Sequence, residues 1–274
     1  MNERDTLRPK LDAPRGVLHH RPRPFVAGYE RYLPGAALAP FVEHFWCVSW
    51  DEPEAVVREV LPHPSVHLVL EAGASAVAGV PSGRFTRVLQ GRGRVLGTKF
   101  LPGGFHPFFG RDVSSLTDRR VPLVEIFGAA AGELERHALA CGEASAAFAV
   151  VQEFLLAREP RRDPSAELAA RIAARAATDR DIVRAEQLAA AFDLGLRALQ
   201  RLFATYVGVP PKWVLQRYRL HEAAERLADE PDADLADLAS ELGYADQSHF
   251  VRDFKRLIGH PPGAYARRVA AIRT

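Results

Sequence analysis

The pattern of apolar positions changes character along the chain. From residue 181 onward, apolar residues recur at helical spacing. Stops cut that pattern at Gly195, Gly208-Val209-Pro210-Pro211, residues 229–234, Gly243 and Gly259-His260-Pro261-Pro262. The spacing predicts about seven short helices, packed as a bundle rather than a coiled coil. Residues 122–178 also read as helical. Leu123, Ile126, Phe127 and Leu134 form one stripe, and Ala147, Val150, Val151, Phe154 and Leu155 a second. Leu168, Ile172 and Ala176 continue after a charged, proline-broken linker at residues 159–164. Residues 25–121 read differently, as short elements split by glycine and proline. Residues 66–70, 85–89 and 95–100 are β-type runs. Leu38, Phe41, Val42 and Phe45 fit a short amphipathic helix opened by Pro34-Gly35. Gly91, Gly93, Gly97, Gly103 and Gly104 are expected to be turns or points of close approach.

Four segments follow: a flexible arm (1–24), a mixed, strand-rich domain (25–121), a helical linker region (122–178) and an all-α domain (179–274). The fold class is α+β. The arm holds five arginines, one lysine and four prolines, a composition that does not bury a core.

Composition narrows the class. With 274 residues, 47% hydrophobic and 26% charged, the chain carries material for about two modest cores. Its longest stretch free of Asp, Glu, Lys and Arg is 12 residues, at 72–83, against roughly 20 for a bilayer-spanning helix. No membrane segment or secretory signal is expected, and the setting is read as cytoplasmic. Two cysteines, Cys47 and Cys141, support neither a disulfide framework nor a four-cysteine metal site. His63 and His67 would share a strand face, but no third ligand lies near. No metal or cofactor is expected. The net charge is +2, with 32 arginines to 4 lysines, so charge alone does not indicate nucleic acid.

One pattern occurs twice inside the last segment. The first copy begins Glu186-Gln187-Leu188-Ala189 and runs to Phe203; the second begins Asp237-Leu238-Ala239 and runs to Phe254. Leu188 matches Leu238, Leu199 matches Phe250, and Phe203 matches Phe254, with one extra residue in the second turn. This is helix-turn-helix grammar, repeated. In the second helix of each copy the anchors leave a polar face free. The first presents Arg197, Gln200 and Arg201; the second presents Gln247, Ser248, Val251 and Arg252, with Asp246 at the N-cap. Arginine suits guanine edges, glutamine suits adenine, and valine can meet a thymine methyl. A long helix from Pro211 would join the copies. Residues 181–274 hold 13 basic and 13 acidic residues, so any DNA affinity must come from local asymmetry and be steeply salt-dependent.

Residues 182–267 resemble the DNA-binding domain of AraC/XylS-type transcriptional regulators. The second copy carries the signature: Glu241-Leu242-Gly243-Tyr244, Asp246-Gln247-Ser248-His249-Phe250, Arg252, Phe254-Lys255, Gly259, Pro261-Pro262 and Tyr265. The first copy is looser, with Gly195 where the family usually has a Ser or Thr cap. The resemblance implies a sequence-specific transcriptional regulator, not an enzyme, that binds double-stranded DNA. It makes Arg197, Gln200, Arg201, Gln247, Ser248 and Val251 base-reading positions, and gives Arg252 a base or a phosphate. It also brings candidate partners: a small-molecule effector, RNA polymerase and a second copy of the chain. The motifs Leu61-Pro62-His63-Pro64 and Lys99-Phe100-Leu101-Pro102-Gly103-Gly104 resemble a sensor-like domain of such regulators, with no ligand to carry over. The rival reading is an enzyme, such as a cysteine-dependent DNA-repair protein with a DNA-targeting tail. Cys47 among hydrophobic neighbours gives it little support.

Overall fold

A computed structural model describes residues 7–9, 17–18 and 28–273. The rest of the predicted arm lies outside the described residues. The two described pieces of it are strands: β1 (Arg8–Pro9) and β2 (Val17–Leu18). They pair with β3 (Tyr29–Leu33) and with the far end of β4 (Val42–Val60).

The N-terminal half is one antiparallel sheet of eight strands in the order β1-β3-β4-β7-β5-β6-β8, with β2 beside β4. Its spine is the hairpin of β4 and β7 (Phe85–Phe100). β5 (His67–Leu70), β6 (Ala76–Ala78) and β8 (Arg120–Pro122) complete it. Strand alternation sends Phe45, Cys47, Leu96, Phe100, Leu68 and Leu70 to one face. There they meet α3 (Ala130–Ala140) and α4 (Ala144–Leu156) through Leu134, Ala138, Phe148 and Val151. Phe45 stacks on Phe148 at 5.2 Å. Phe105 is buried in this core. Phe108 and Phe109 of α1 (His106–Phe109) pack at its edge, as does α2 (Leu123–Phe127).

Two predicted elements differ. Residues 36–41 are a turn, not a helix, and β4 begins at Val42. Leu38, Phe41, Val42 and Phe45 are all buried, as the pattern required. A tight turn feeding a strand places those four positions inward as well as a helix would. The runs at 85–89 and 95–100 are one continuous strand. Of the two expectations for Gly93 and Gly97, close approach holds and a turn does not. They lie beneath indole rings, where an added Cβ would sit 2.2 Å from Trp50 and 2.0 Å from Trp46. Trp46 donates from Nε1 to His67 Nδ1 at 3.2 Å. Burial, and then the charges of Lys99 and His44, hold His67 down to about 3, which keeps the ring neutral; the indole N–H being a donor, Nδ1 is the acceptor.

The C-terminal half is helical. After α5 (Pro164–Thr178) come α6 (Ala185–Ala190), α7 (Leu196–Tyr206), α8 (Pro211–Asp229), α9 (Leu235–Glu241), α10 (Gln247–Ile258) and α11 (Pro262–Arg273). Among the described residues from 181 onward there are six helices, where the stops predict about seven. Pro164 opens α5 after the predicted linker, and the Asp163 side chain caps it by accepting from Ser165 N–H at 2.8 Å.

Candidate nucleic-acid interface

α6 and α7 form the first unit, α9 and α10 the second. The same backbone bond closes both turns. Leu194 N–H donates to Ala189 C=O, and Tyr244 N–H donates to Ala239 C=O, each at 3.0 Å. The extra residue of the second copy falls after this bond, in the approach to Asp246.

Each unit buries its anchors and leaves its outer face open. In α7, Leu199 and Phe203 are fully buried while Arg197, Gln200 and Arg201 are exposed. No acidic residue occurs in α7, and neither arginine has an ion-pair partner among the described residues. In α10, Phe250 and Phe254 are buried while Gln247, Ser248 and Arg252 are exposed. Val251 is half-buried and packs on the second core. Lys255 is exposed seven positions after Ser248, on the stripe of Ser248 and Arg252. Asp253 is the one acid in α10; it pairs with Arg256 at 3.2 Å and His249 at 3.6 Å. Both outer faces therefore have a positive balance within a domain whose formal charge is zero.

Capping separates the units. Asp234 accepts from Ala236 and Asp237 N–H, and Asp246 accepts from His249 N–H at 2.7 Å. In the first unit, Gln187 Oε1 accepts from Arg184 N–H at 2.9 Å, and Gly195 begins α7 with no side-chain cap.

α8 joins the units, as the sequence predicts. Val214 and Leu215 enter the first core; Leu220, Ala223, Ala224 and Leu227 enter the second. Buried Arg219 ties the approach to α6 to the turn after α9: Nη1 donates to Leu242 C=O at 3.0 Å, and Nη2 to Ile182 C=O. Arg217 is 1% exposed and lies over the Trp213 ring at 4.4 Å. Its Nη2 donates to Ser82 C=O at 3.0 Å, and Nε and Nη1 have no hydrogen-bond partner among the described residues. Burial, with nearby Arg256, lowers its pKa to about 10. The sequence reading missed both arginines because their partners are backbone carbonyls, which carry no side-chain signature.

The other candidates do not assemble a site. His63 leaves the strand face and stacks on His221 at 4.3 Å, while His67 stays on β5. No metal-holding group of His, Cys, Asp and Glu occurs among the described residues. Cys47 is buried with Arg94 Nε 3.5 Å from its sulfur, a cation the sequence did not reveal; burial still pushes the thiol up. An open cleft of about 180 Å³ lies between α5 and the sheet domain, lined by Pro40, Phe41, Pro102, Asp163, Ala166 and Arg171 among others. That is below the roughly 300 Å³ at which small-molecule pockets begin. No helix among the described residues is long and apolar enough to cross a membrane.

Comparison with known proteins adds the following. A family model described as a helix-turn-helix domain matches residues 188–268. One described as a domain of unknown function matches residues 30–122. The transcriptional activator NphR of Rhodococcus sp is 36% identical over 94 residues, covering 34% of this chain and 27% of that protein. The HTH-type transcriptional regulator ExsA of Pseudomonas aeruginosa is 33% identical over 72 residues, covering 26% of this chain and 25% of that protein. The chain thus spans about a quarter of the length of these curated relatives. Among solved structures, ToxT of Vibrio cholerae O395 aligns over 82% of this chain and 97% of its own, with 10% identity and a TM-score of 0.37.

Proposed function

We propose, from a C-terminal third that is an AraC-type double helix-turn-helix domain, that the chain is a sequence-specific transcriptional regulator reading duplex DNA with two helices. One observation carries this reading: α7 and α10 both bury aromatic anchors and both leave a basic, uncovered outer face. Arg197 and Arg201 are placed to take guanine O6 and N7, and Gln200 and Gln247 adenine. Ser248 and half-buried Val251 border the second reading face. Arg252, whose Nε donates to Ser248 C=O at 3.3 Å, keeps its terminal nitrogens for a base or a phosphate. Exposed Lys255 adds a phosphate contact. In this reading the chain is a regulator acting in the cytoplasm, with an effector, a second copy or RNA polymerase engaging the remaining surface.

The test is selection of bound duplexes from a random library by the full-length protein at several salt concentrations. The expected result is one enriched motif with two sub-sites about one helical turn, roughly 34 Å, apart. Binding with no enrichment at any salt would mean backbone attraction alone, and would overturn base reading.

A further inference from the structure

The two recognition helices end alike. α7 stops before Gly208 at φ +95°, and α10 stops at Gly259 at φ +88°. Both glycines hold the left-handed conformation that terminates helices, and both are followed by a Pro-Pro pair that starts the next helix. The sheet domain touches both turns. At the first, Thr117 Oγ1 donates to Gly208 C=O at 2.6 Å, and an added Cβ on Gly208 would lie 3.2 Å from Val113. One turn earlier, Thr205 Oγ1 donates to Asp112 Oδ1 at 2.8 Å. At the second, Arg84 Nη1 lies 2.0 Å from where a Cβ of Gly259 would be, and Arg84 pairs with Glu59 at 3.3 Å. Between the turns, Ser82 C=O accepts from both Trp213 and Arg217 of α8.

Meanwhile Arg197, Gln200, Arg201, Gln247, Ser248 and Arg252 are exposed. The sheet domain therefore reaches the ends of the recognition helices without covering their reading faces. α8 is a single spine, and a unit attached to it alone can pivot about it. The Thr117 hydrogen bond at the first turn and the close approach of Arg84 at the second restrict that freedom.

We propose that the sheet domain acts as a splint, gripping both recognition helices by their C-terminal glycine turns and so setting the angle between the two base-reading faces. A signal at the sheet domain reaches DNA by changing that angle, not by uncovering a masked face. Arg84 and Thr117 are positioning residues in this scheme. The inference rests on the DNA-reading assignment above, and the test separates the two.

The test uses full-length protein and the duplex selected above in three forms: one sub-site, both at the selected spacing, and both with two inserted base pairs. The insertion turns one sub-site by roughly 70° relative to the other. Wild type is expected to lose about tenfold or more in affinity on insertion. The double variant Arg84→Ala/Thr117→Val is expected to keep single-site affinity within about twofold. At the selected spacing it should fall by about five- to tenfold, in the range of ordinary inter-site coupling, and its insertion penalty should shrink below about threefold. Arg84→Lys/Thr117→Ser is expected to restore the wild-type profile. An unchanged insertion penalty in the double variant overturns the splint. A rise in its single-site affinity overturns it too, since that result means masking. If wild type binds none of the three duplexes, the DNA-reading assignment falls, and the splint with it.

Discussion

The two helix-turn-helix units share a plan and differ in what supports them. The second is nearly self-sufficient. Its core draws on α8 to α11, and among the described residues Leu61 is its one fully buried contribution from the sheet domain. Its helices begin on Asp234 and Asp246 caps. The first is a shared structure. Its core includes Ala169, Ile172 and Ala176 of α5 and Val80 of the sheet domain beside its own Leu188, Leu199 and Phe203. Its reading helix has no side-chain cap. A repeat duplicated in sequence is thus not duplicated in its dependence on the rest of the molecule. What sets the first unit apart is α5, since each core takes a fully buried residue from the sheet domain, Val80 in one and Leu61 in the other.

The largest test of this contrast is in the anchors. Phe203→Ala and Phe250→Ala should each cost about 3–5 kcal/mol. Hydrogen exchange should place the losses differently. Phe203→Ala is expected to deprotect α5 and α7 together, and Phe250→Ala to deprotect α9 to α11 and leave α5 protected. Equal spread from both would erase the contrast. Next, Leu61→Ala, which empties a site at 0% exposure, should cost about 2–5 kcal/mol and loosen the second unit while sparing the first.

On DNA, Arg201→Ala and Gln247→Ala should each weaken the selected duplex by about 1–3 kcal/mol and relax one base position. Titration across salt sharpens the comparison. The Arg201 change should also lower the salt slope, because it removes a cation with no ion-pair partner among the described residues; the Gln247 change should not. Smaller still, Asp246→Ala should cost about 1 kcal/mol in denaturant titration by removing the α10 cap. The smallest effect has the opposite sign. Gly195 is extended, with no atom within 4 Å of an added Cβ. Gly195→Ser should therefore supply the missing cap and raise the melting temperature by the equivalent of a few tenths of a kcal/mol. A drop in melting temperature would show that α7 needs the bare backbone there.

The helical half was legible because its signals are local. Leu188, Leu199, Phe203, Leu238, Phe250 and Phe254 stand at helical spacing, and Asp246 and the Pro-Pro pairs mark starts. The exposure of the outer-face residues followed from the same geometry, Val251 being the one that packs partly inward. The sheet was less legible because its signals are pairwise. A glycine in a β-type run reads as a break until the partner strand is known, and Gly93 and Gly97 make sense only with Trp50 and Trp46 across from them. The pattern of Leu38 to Phe45 fixed which residues are buried but not whether a helix or a turn buries them. Least legible were Arg217 and Arg219, whose partners are main-chain oxygens 23 to 135 positions away.

The placement of the three tryptophans has an optical consequence. Trp46 and Trp50 sit in the sheet, each over a glycine, while Trp213 sits on α8 with its indole N–H on the Ser82 carbonyl of the sheet domain, 3.1 Å away. A protein carrying Trp46→Phe and Trp50→Phe would retain a single tryptophan, at the boundary between the sheet domain and the helical domain. Its emission should move to the red as that boundary opens to water. The chain thus carries its own optical gauge of domain separation, readable without an attached dye.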